Sequence, residues 1–155
     1  MSSPPAEELD EIDKKLLKIL QQDAKTPYAK ISDEIGISEA TVHLRIKRLL
    51  KSGVILGFQA IVNPKKVGIN YMALTGLNIK PSESTKILER LSKVENVYEV
   101  YVTAGRYNIV AKVRAKDSSE LLDTLKVIER IPGITSMDVM LVLSTIKEET
   151  RIRIP

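Results

Sequence analysis

The feature that most constrains this chain is the run Gly36, Ile37, Ser38 and what flanks it. Upstream, Tyr28, Ile31 and Ile35 recur at helical spacing behind Thr26 and Pro27, and proline is tolerated in the first turn of a helix. Gly36 can adopt the positive φ that ends a helix. Ser38 is a good N-cap for the next one. Two short helices joined this tightly form a helix-turn-helix. An earlier helix is expected beneath them, because Leu9, Ile12, Leu16, Leu17 and Leu20 also recur every three or four residues. Asp10, Glu11 and Asp13 lie in its first turns, where the helix dipole favours negative charge.

The helix after Ser38 reads EATVHLRIKRLLK. On a wheel at about 100° per residue, Val42, Ile46, Leu49 and Leu50 fall together and face the other two helices. Thr41, Leu44, Arg48 and Lys51 cluster opposite, with Ala40 and Lys47 beside them; Arg45 and His43 flank the apolar stripe. From Ser38 to Ser52 there are four Lys or Arg against the single acid Glu39. Such a face is as a rule merely solvated. Here the turn and the helix before it point to a duplex phosphate backbone as its partner. Leu44 sharpens that reading: an apolar residue on a cationic outward face gains nothing in water, but it can meet a thymine methyl in the major groove. Thr41, Leu44, Arg45 and Arg48 are expected to reach base edges or nearby phosphates. Ser38, Lys47, Lys51 and Lys30 are expected to position the backbone.

The rest of the chain excludes more than it adds. The 155 residues carry a net charge of +4, which permits nucleic-acid binding without arguing for it. There is no cysteine, and His43 is the only histidine. Thiolate metal sites, disulfides and a cysteine nucleophile are excluded, and an imidazole-based metal site has little to stand on, so neither metal nor cofactor is expected. No apolar run approaches the ~20 residues of a membrane span. The first residues, MSSPPAEELDEID, are acidic and polar, unlike a secretory signal, so a cytoplasmic location is expected. Residues 1–8 read as a disordered lead-in, 9–62 as the helix-turn-helix domain, 63–70 as a hinge and 71–155 as a second domain. Within the first, VILGFQAIVNP after Gly53 reads as a strand or wing, making a winged helix-turn-helix.

The second domain alternates strand and helix patterns. Strands are expected over Tyr71–Ile79, 97–103, Ile109–Ala115 and 134–146, and helices over 83–93 and 118–130; residues 104–108 form a turn. The order β-α-β-β-α-β is that of a ferredoxin-like (RAM/ACT-like) α+β domain. Its helices cover one sheet face only, yet the strands look apolar on both sides: Val97 and Tyr101 alternate with Tyr98, Val100 and Val102, and Met137, Val139, Leu141 and Leu143 with Met140 and Val142. An exposed apolar face is a partner interface. A homodimer built sheet to sheet is therefore expected. It would present two reading helices about a twofold axis to a pseudo-palindromic operator.

Taken together, these residues resemble the Lrp/AsnC family of feast/famine transcription regulators. The resemblance rests on the aspartate-led first helix (Asp13), the turn at Gly36, the pairs Thr41-Val42 and Arg45-Ile46, and Gly53-Val54-Ile55. It spans nearly the whole chain and implies an archaeal source. It implies a sequence-specific DNA-binding regulator, not an enzyme, whose dimers assemble to tetramers, octamers or larger rings. It also implies an effector site at an interface between dimers, for an amino acid or related metabolite, near Thr103, Ala104, Gly105, Arg106, Tyr107 and Asn108; Thr135, Ser136 and Asp138 are expected to line the same pocket in an assembled oligomer. Asn108 departs from the family, which commonly has aspartate there: an amide offers only neutral hydrogen bonds to an amino group. Gly105 fits either a ligand loop or a plain hairpin. Two other readings stay open at this level: a chromatin-like architectural protein, and a siroheme-decarboxylase-like enzyme, which the lone histidine on the reading helix disfavours.

Overall fold

Asp10 starts the first helix. Its carboxylate accepts the Asp13 N–H at 2.8 Å, and the Asp13 carboxylate reaches back to the Asp10 N–H at 3.3 Å, so two donors that a helix leaves unpaired are satisfied reciprocally. The coordinates are a computed structural model and describe residues 8–155. The expected lead-in over 1–8 therefore lies, Glu8 aside, outside the described residues. The chain divides into two units, one comprising the residues up to Ala60 together with Lys147–Pro155, the other Ile61–Ile146.

In the first unit α1 is Glu11–Gln22, α2 Tyr28–Ile35 and α3 Glu39–Lys51. Gly36 takes φ 81° and closes α2; the Ser38 hydroxyl accepts the Thr41 N–H and opens α3. Leu16, Leu17, Leu20, Ile31, Val42, Ile46 and Leu49 form the core, each fully buried Leu or Ile contributing roughly 1.5–3 kcal/mol. Leu50, expected inside, is 39% exposed: it lies at the edge of the stripe, in the last turn, where the three-helix core has ended.

Two expectations for this unit need correction. The wing is not a strand. Val54 and Ile55 pack on the core, but residues 56–63 join no strand ladder among the described residues, and Leu56, Phe58, Ile61 and Val62 are exposed. β-Branched content supplies the propensity, but a strand also needs a neighbour for its N–H and C=O groups. The end of the chain, read as part of the second domain, instead joins the first unit. Gln21 Nε2 donates to the Ile152 carbonyl at 3.0 Å, the Ile152 N–H donates to Gln21 Oε1 at 2.8 Å, and Ile154 packs against the three-helix core.

In the second unit the segment read as a hinge holds a capped 3-10 turn over Pro64–Val67, closed by Gly68 at φ 89°. Then follow β1 (Tyr71–Ile79), α4 (Ser84–Leu91), β2 (Val97–Val102), β3 (Ile109–Ala115), α5 (Ser118–Glu129) and β4 (Ile134–Leu141). The strand order is β2-β3-β1-β4, antiparallel throughout. Ala73, Leu77, Ile109, Val113 and Ala115 on the sheet meet Ile87, Leu91, Leu121 and Ile128 on the helices. β4 stops short of residue 146 because its partner does: after the Val142 N–H donates to the Met72 carbonyl, β1 is nearly spent.

The face away from the helices is mixed, not apolar throughout. Register places Met72, Leu74, Val110, Tyr101 and Met140 there, but also Glu99, Lys112, Arg114 and Asp138. A bulge between Val97 and Glu99 puts Val97 and Val100 both against the helical core, which breaks the simple alternation read for β2. Among the described residues no helix is long and apolar enough to cross a membrane.

If the tail belongs to the first unit, removing residues 151–155 should lower the stability of that unit by about 1–2 kcal/mol, the loss expected for uncovering one partly buried isoleucine and two hydrogen bonds. Urea unfolding followed by far-ultraviolet circular dichroism checks it. An unchanged midpoint would show the tail to be dispensable there.

Candidate functional site

Two surfaces carry the residues singled out above. The first is the outer face of α3. Leu44 is 64% exposed; Lys47 and Lys51 are exposed beside it, Lys30 is exposed on α2 and Thr41 is half-buried. The hydroxyls of Ser38 and Thr41 lie 2.8 Å apart, and Ser38 also caps the helix, so its hydroxyl is already engaged. Among the described residues no carboxylate pairs with Lys47 or Lys51.

Arg45 and Arg48 differ from those lysines, and here the structure changes the roles read from the sequence. Arg45 Nη1 donates to Asp10 Oδ2 at 2.7 Å and to Asp13 Oδ1 at 2.8 Å. Arg48 Nη2 donates to the other oxygen of Asp13. The Asp13 side chain is 1% exposed, against 23% for Arg45 and 48% for Arg48. The wheel put Arg45 on the flank of the stripe and Arg48 outside; it could not show two carboxylates of α1 beneath them. Arg45 is spoken for inside the unit and is a poor candidate for a base edge, whereas Arg48 has one hand on Asp13 and the other face in solvent. Two of the four cations of α3 are thereby paired with carboxylates of the same unit.

The same contacts set the titration of Asp10. The Asp13 N–H, then the Arg45 guanidinium, hold its carboxyl down at about 2, because both favour the charged form. A carboxylate whose folded pKa lies below its unfolded value stabilises the fold above the ordinary aspartate range and loses that contribution as pH falls towards 2. Carbon-detected NMR titration should find the Asp10 midpoint near 2. In Arg45→Met it should rise part of the way towards the ordinary value, since the backbone bond, the larger cause, remains.

The second surface lies on the open face of the sheet. The loop after β2 is tied at its base: the Thr103 N–H donates to the Asn108 carbonyl at 2.9 Å and the Thr103 hydroxyl to the Tyr107 carbonyl at 2.7 Å. Asn108 ties the loop to β1. Its N–H donates to the Leu77 carbonyl, and its Oδ1 accepts the Ile79 N–H, both at 3.0 Å. The side-chain oxygen is what this lock needs, and asparagine supplies it as aspartate would. Ala104, Gly105 and Arg106 form the exposed tip, Gly105 at φ 145°.

Tyr107 lies flat on Gly76 of β1, so closely that a Cβ there would meet the ring at 2.6 Å. Its hydroxyl donates to Asp138 Oδ2 at 2.8 Å, which pushes the phenol pKa up. Arg106 stands 3.6 Å from the same carboxylate and over the Tyr107 ring. Ser136 accepts a hydrogen bond from Asn78 Nδ2 at 3.1 Å. Thr135 sits exposed at the bulge where β4 slips against β1, between the pairs Ser136 with Asn78 and Ile134 with Ile79. The structure thus gathers Arg106, Tyr107, Ser136 and Asp138, and adds Gly76 and Asn78, which the sequence reading missed. A glycine inside an otherwise apolar strand was the available signal, since it often marks the close approach of another group.

Comparison with known proteins places both units in one family. The family profile of the AsnC-type helix-turn-helix domain matches residues 9–50, and that of the Lrp/AsnC ligand-binding domain matches residues 72–152. The chain is 44% identical to the HTH-type transcriptional regulator FL11 of Pyrococcus abyssi, over 94% of this chain and 97% of that one. It is 36% identical to the regulator LrpA of Pyrococcus horikoshii, over 90% and 99%. Among solved structures it resembles Escherichia coli AsnC with a TM-score of 0.86 at 29% identity, covering 93% of this chain and 98% of that one. An AsnC-type helix-turn-helix domain followed by an Lrp/AsnC ligand-binding domain, with relatives matched over nearly their whole length, makes this chain a member of the Lrp/AsnC family of transcriptional regulators.

Proposed function

We propose that the protein works as a symmetric dimer or higher assembly that lays α3 of each copy in the major groove of a pseudo-palindromic operator. What carries this reading is Leu44, 64% exposed on an outward helix face beside Lys47 and Lys51, which pair with no carboxylate among the described residues. Leu44 and Thr41 supply base-edge contacts. Lys47, Lys51 and Lys30 supply phosphate contacts. Arg45 is withdrawn from that list, because Asp10 and Asp13 hold it. The mixed open face of the sheet, with Tyr101 and Met140 about half exposed, serves as the surface through which copies meet.

The second half of the proposal concerns the effector. The cluster of Arg106, Tyr107 and Asp138 offers a guanidinium for a carboxylate and a carboxylate for an ammonium group, with the Tyr107 ring as floor. That is the complement of a free amino acid. The carboxylate that the family commonly carries at the position of Asn108 is replaced in this role by Asp138.

Selection of bound fragments from random DNA should return a two-fold related sequence. Lys51→Ala should weaken binding to selected and random duplexes alike and flatten the salt dependence by about 0.9 in log–log slope, as for one lost phosphate contact. Leu44→Ala should weaken binding to the selected duplex while leaving random duplex nearly unchanged. Equal losses on both would show that α3 reads no bases.

Calorimetric titration with the twenty common amino acids should find at least one ligand. Asp138→Asn should weaken it by roughly 1.5–3 kcal/mol, the worth of a charged hydrogen bond, and Gly76→Ala should do the same by displacing the Tyr107 ring. Binding that survives both substitutions would place the ligand elsewhere.

A further inference from the structure

Arg48 raises a question that its place on α3 does not answer. It is half exposed on the surface read as the DNA interface, yet it is bonded to a carboxylate that is itself shut away from solvent. Asp13 touches Arg45 with one oxygen and Arg48 with the other. It is also locked to Asp10 through the capping box. It has no freedom to follow either arginine, so the arginines must come to it.

We propose that Asp13 is a positioning residue for DNA reading: from beneath α3, without meeting DNA itself, it holds Arg48 as an oriented, charge-neutralised donor in place of a free cation. This rests on the reading of α3 as the helix that meets DNA. The physical reason is a difference between two uses of a guanidinium. A free arginine at a duplex surface takes any phosphate within reach and releases a counterion, which adds affinity for every sequence. An arginine pinned by a buried carboxylate keeps some donors but loses net charge and reach. It then contributes only where a base edge or phosphate falls at the right point, and so adds to discrimination more than to grip. Arg45, held by both Asp10 and Asp13, ties α3 to α1. Lys47 and Lys51 provide the unspecific attraction. The four cations of one helix thus divide into two kinds, and the buried acid makes the division.

The test uses the full chain and two duplexes of equal length, one selected from random DNA by the wild-type protein and one of random sequence. Affinities are measured across a range of salt. Asp13→Asn should bind random duplex more tightly, with a salt slope steeper by about 0.9, one added phosphate contact. Its preference for the selected duplex should fall by about tenfold. The double variant with Arg48→Gln should return the slope to its wild-type value. Asp10→Asn removes the same charge close by without touching Arg48 and should leave the slope unchanged. Arg48→Gln alone should keep the wild-type slope on random duplex and lose discrimination. This last variant alters only a half-exposed side chain and decides the matter even if Asp13→Asn does not fold. The proposal is overturned if Asp13→Asn weakens both duplexes equally, as a purely structural acid would. It is also overturned if Arg48→Gln alone flattens the slope by a full unit. A wild type that does not distinguish the two duplexes would instead overturn the base-reading role of α3.

Discussion

A carboxylate with 1% of its side chain exposed holds the DNA-binding unit in register. Burying an ion is costly unless it is paired and hydrogen-bonded, and Asp13 meets that condition with two guanidinium groups and a backbone N–H. The apolar core of the same unit is non-directional: leucine and isoleucine side chains would tolerate some rotation of α3 about its axis. The fixed fork of an arginine on a carboxylate would not. Hydrophobic burial therefore supplies the driving force for three helices to associate, and the ion-pair cluster ties α1 to α3 through Asp10, Asp13, Arg45 and Arg48.

The ligand-binding unit uses the same logic with different groups. The ferredoxin-like core of β1, β3, α4 and α5 is apolar and complete within the unit. On the opposite face specificity comes from short-range polar geometry. Asn108 locks the loop to β1, Gly76 leaves space for an aromatic ring, and Asp138 on the neighbouring strand closes the cluster. Each is a small departure from what a plain sheet would carry. Together they place an aromatic ring, a guanidinium and a carboxylate side by side on the open face of the sheet.

Much of this was legible in the residues. The helix-turn-helix appears from Gly36, Ser38 and the periodic leucines because caps and amphipathic spacing are local signals. The β-α-β-β-α-β order appears because turns, alternation and helix length are local too. Where the reading failed, the missing information was about neighbours. Residues 56–63 have strand composition but no neighbouring strand among the described residues. β4 ends early because β1 does. The last residues return to α1, which nothing in their own sequence announces. Tyr107 was singled out as part of a loop, but the reason for Gly76 is visible only once the two strands are side by side.

By itself the sequence determined the elements, their order, the division into a DNA-reading part and a ligand-binding part, and the list of exposed side chains on α3. Those follow from interactions between residues a few positions apart, so they are written in spacing. Only the tertiary structure decided which charges on that helix are free. Asp13 and Arg48 are 35 positions apart, and the strength of a charge at a surface depends on what carboxylate lies within a few ångströms of it. No periodicity reports that distance; the packing of α1 against α3 does.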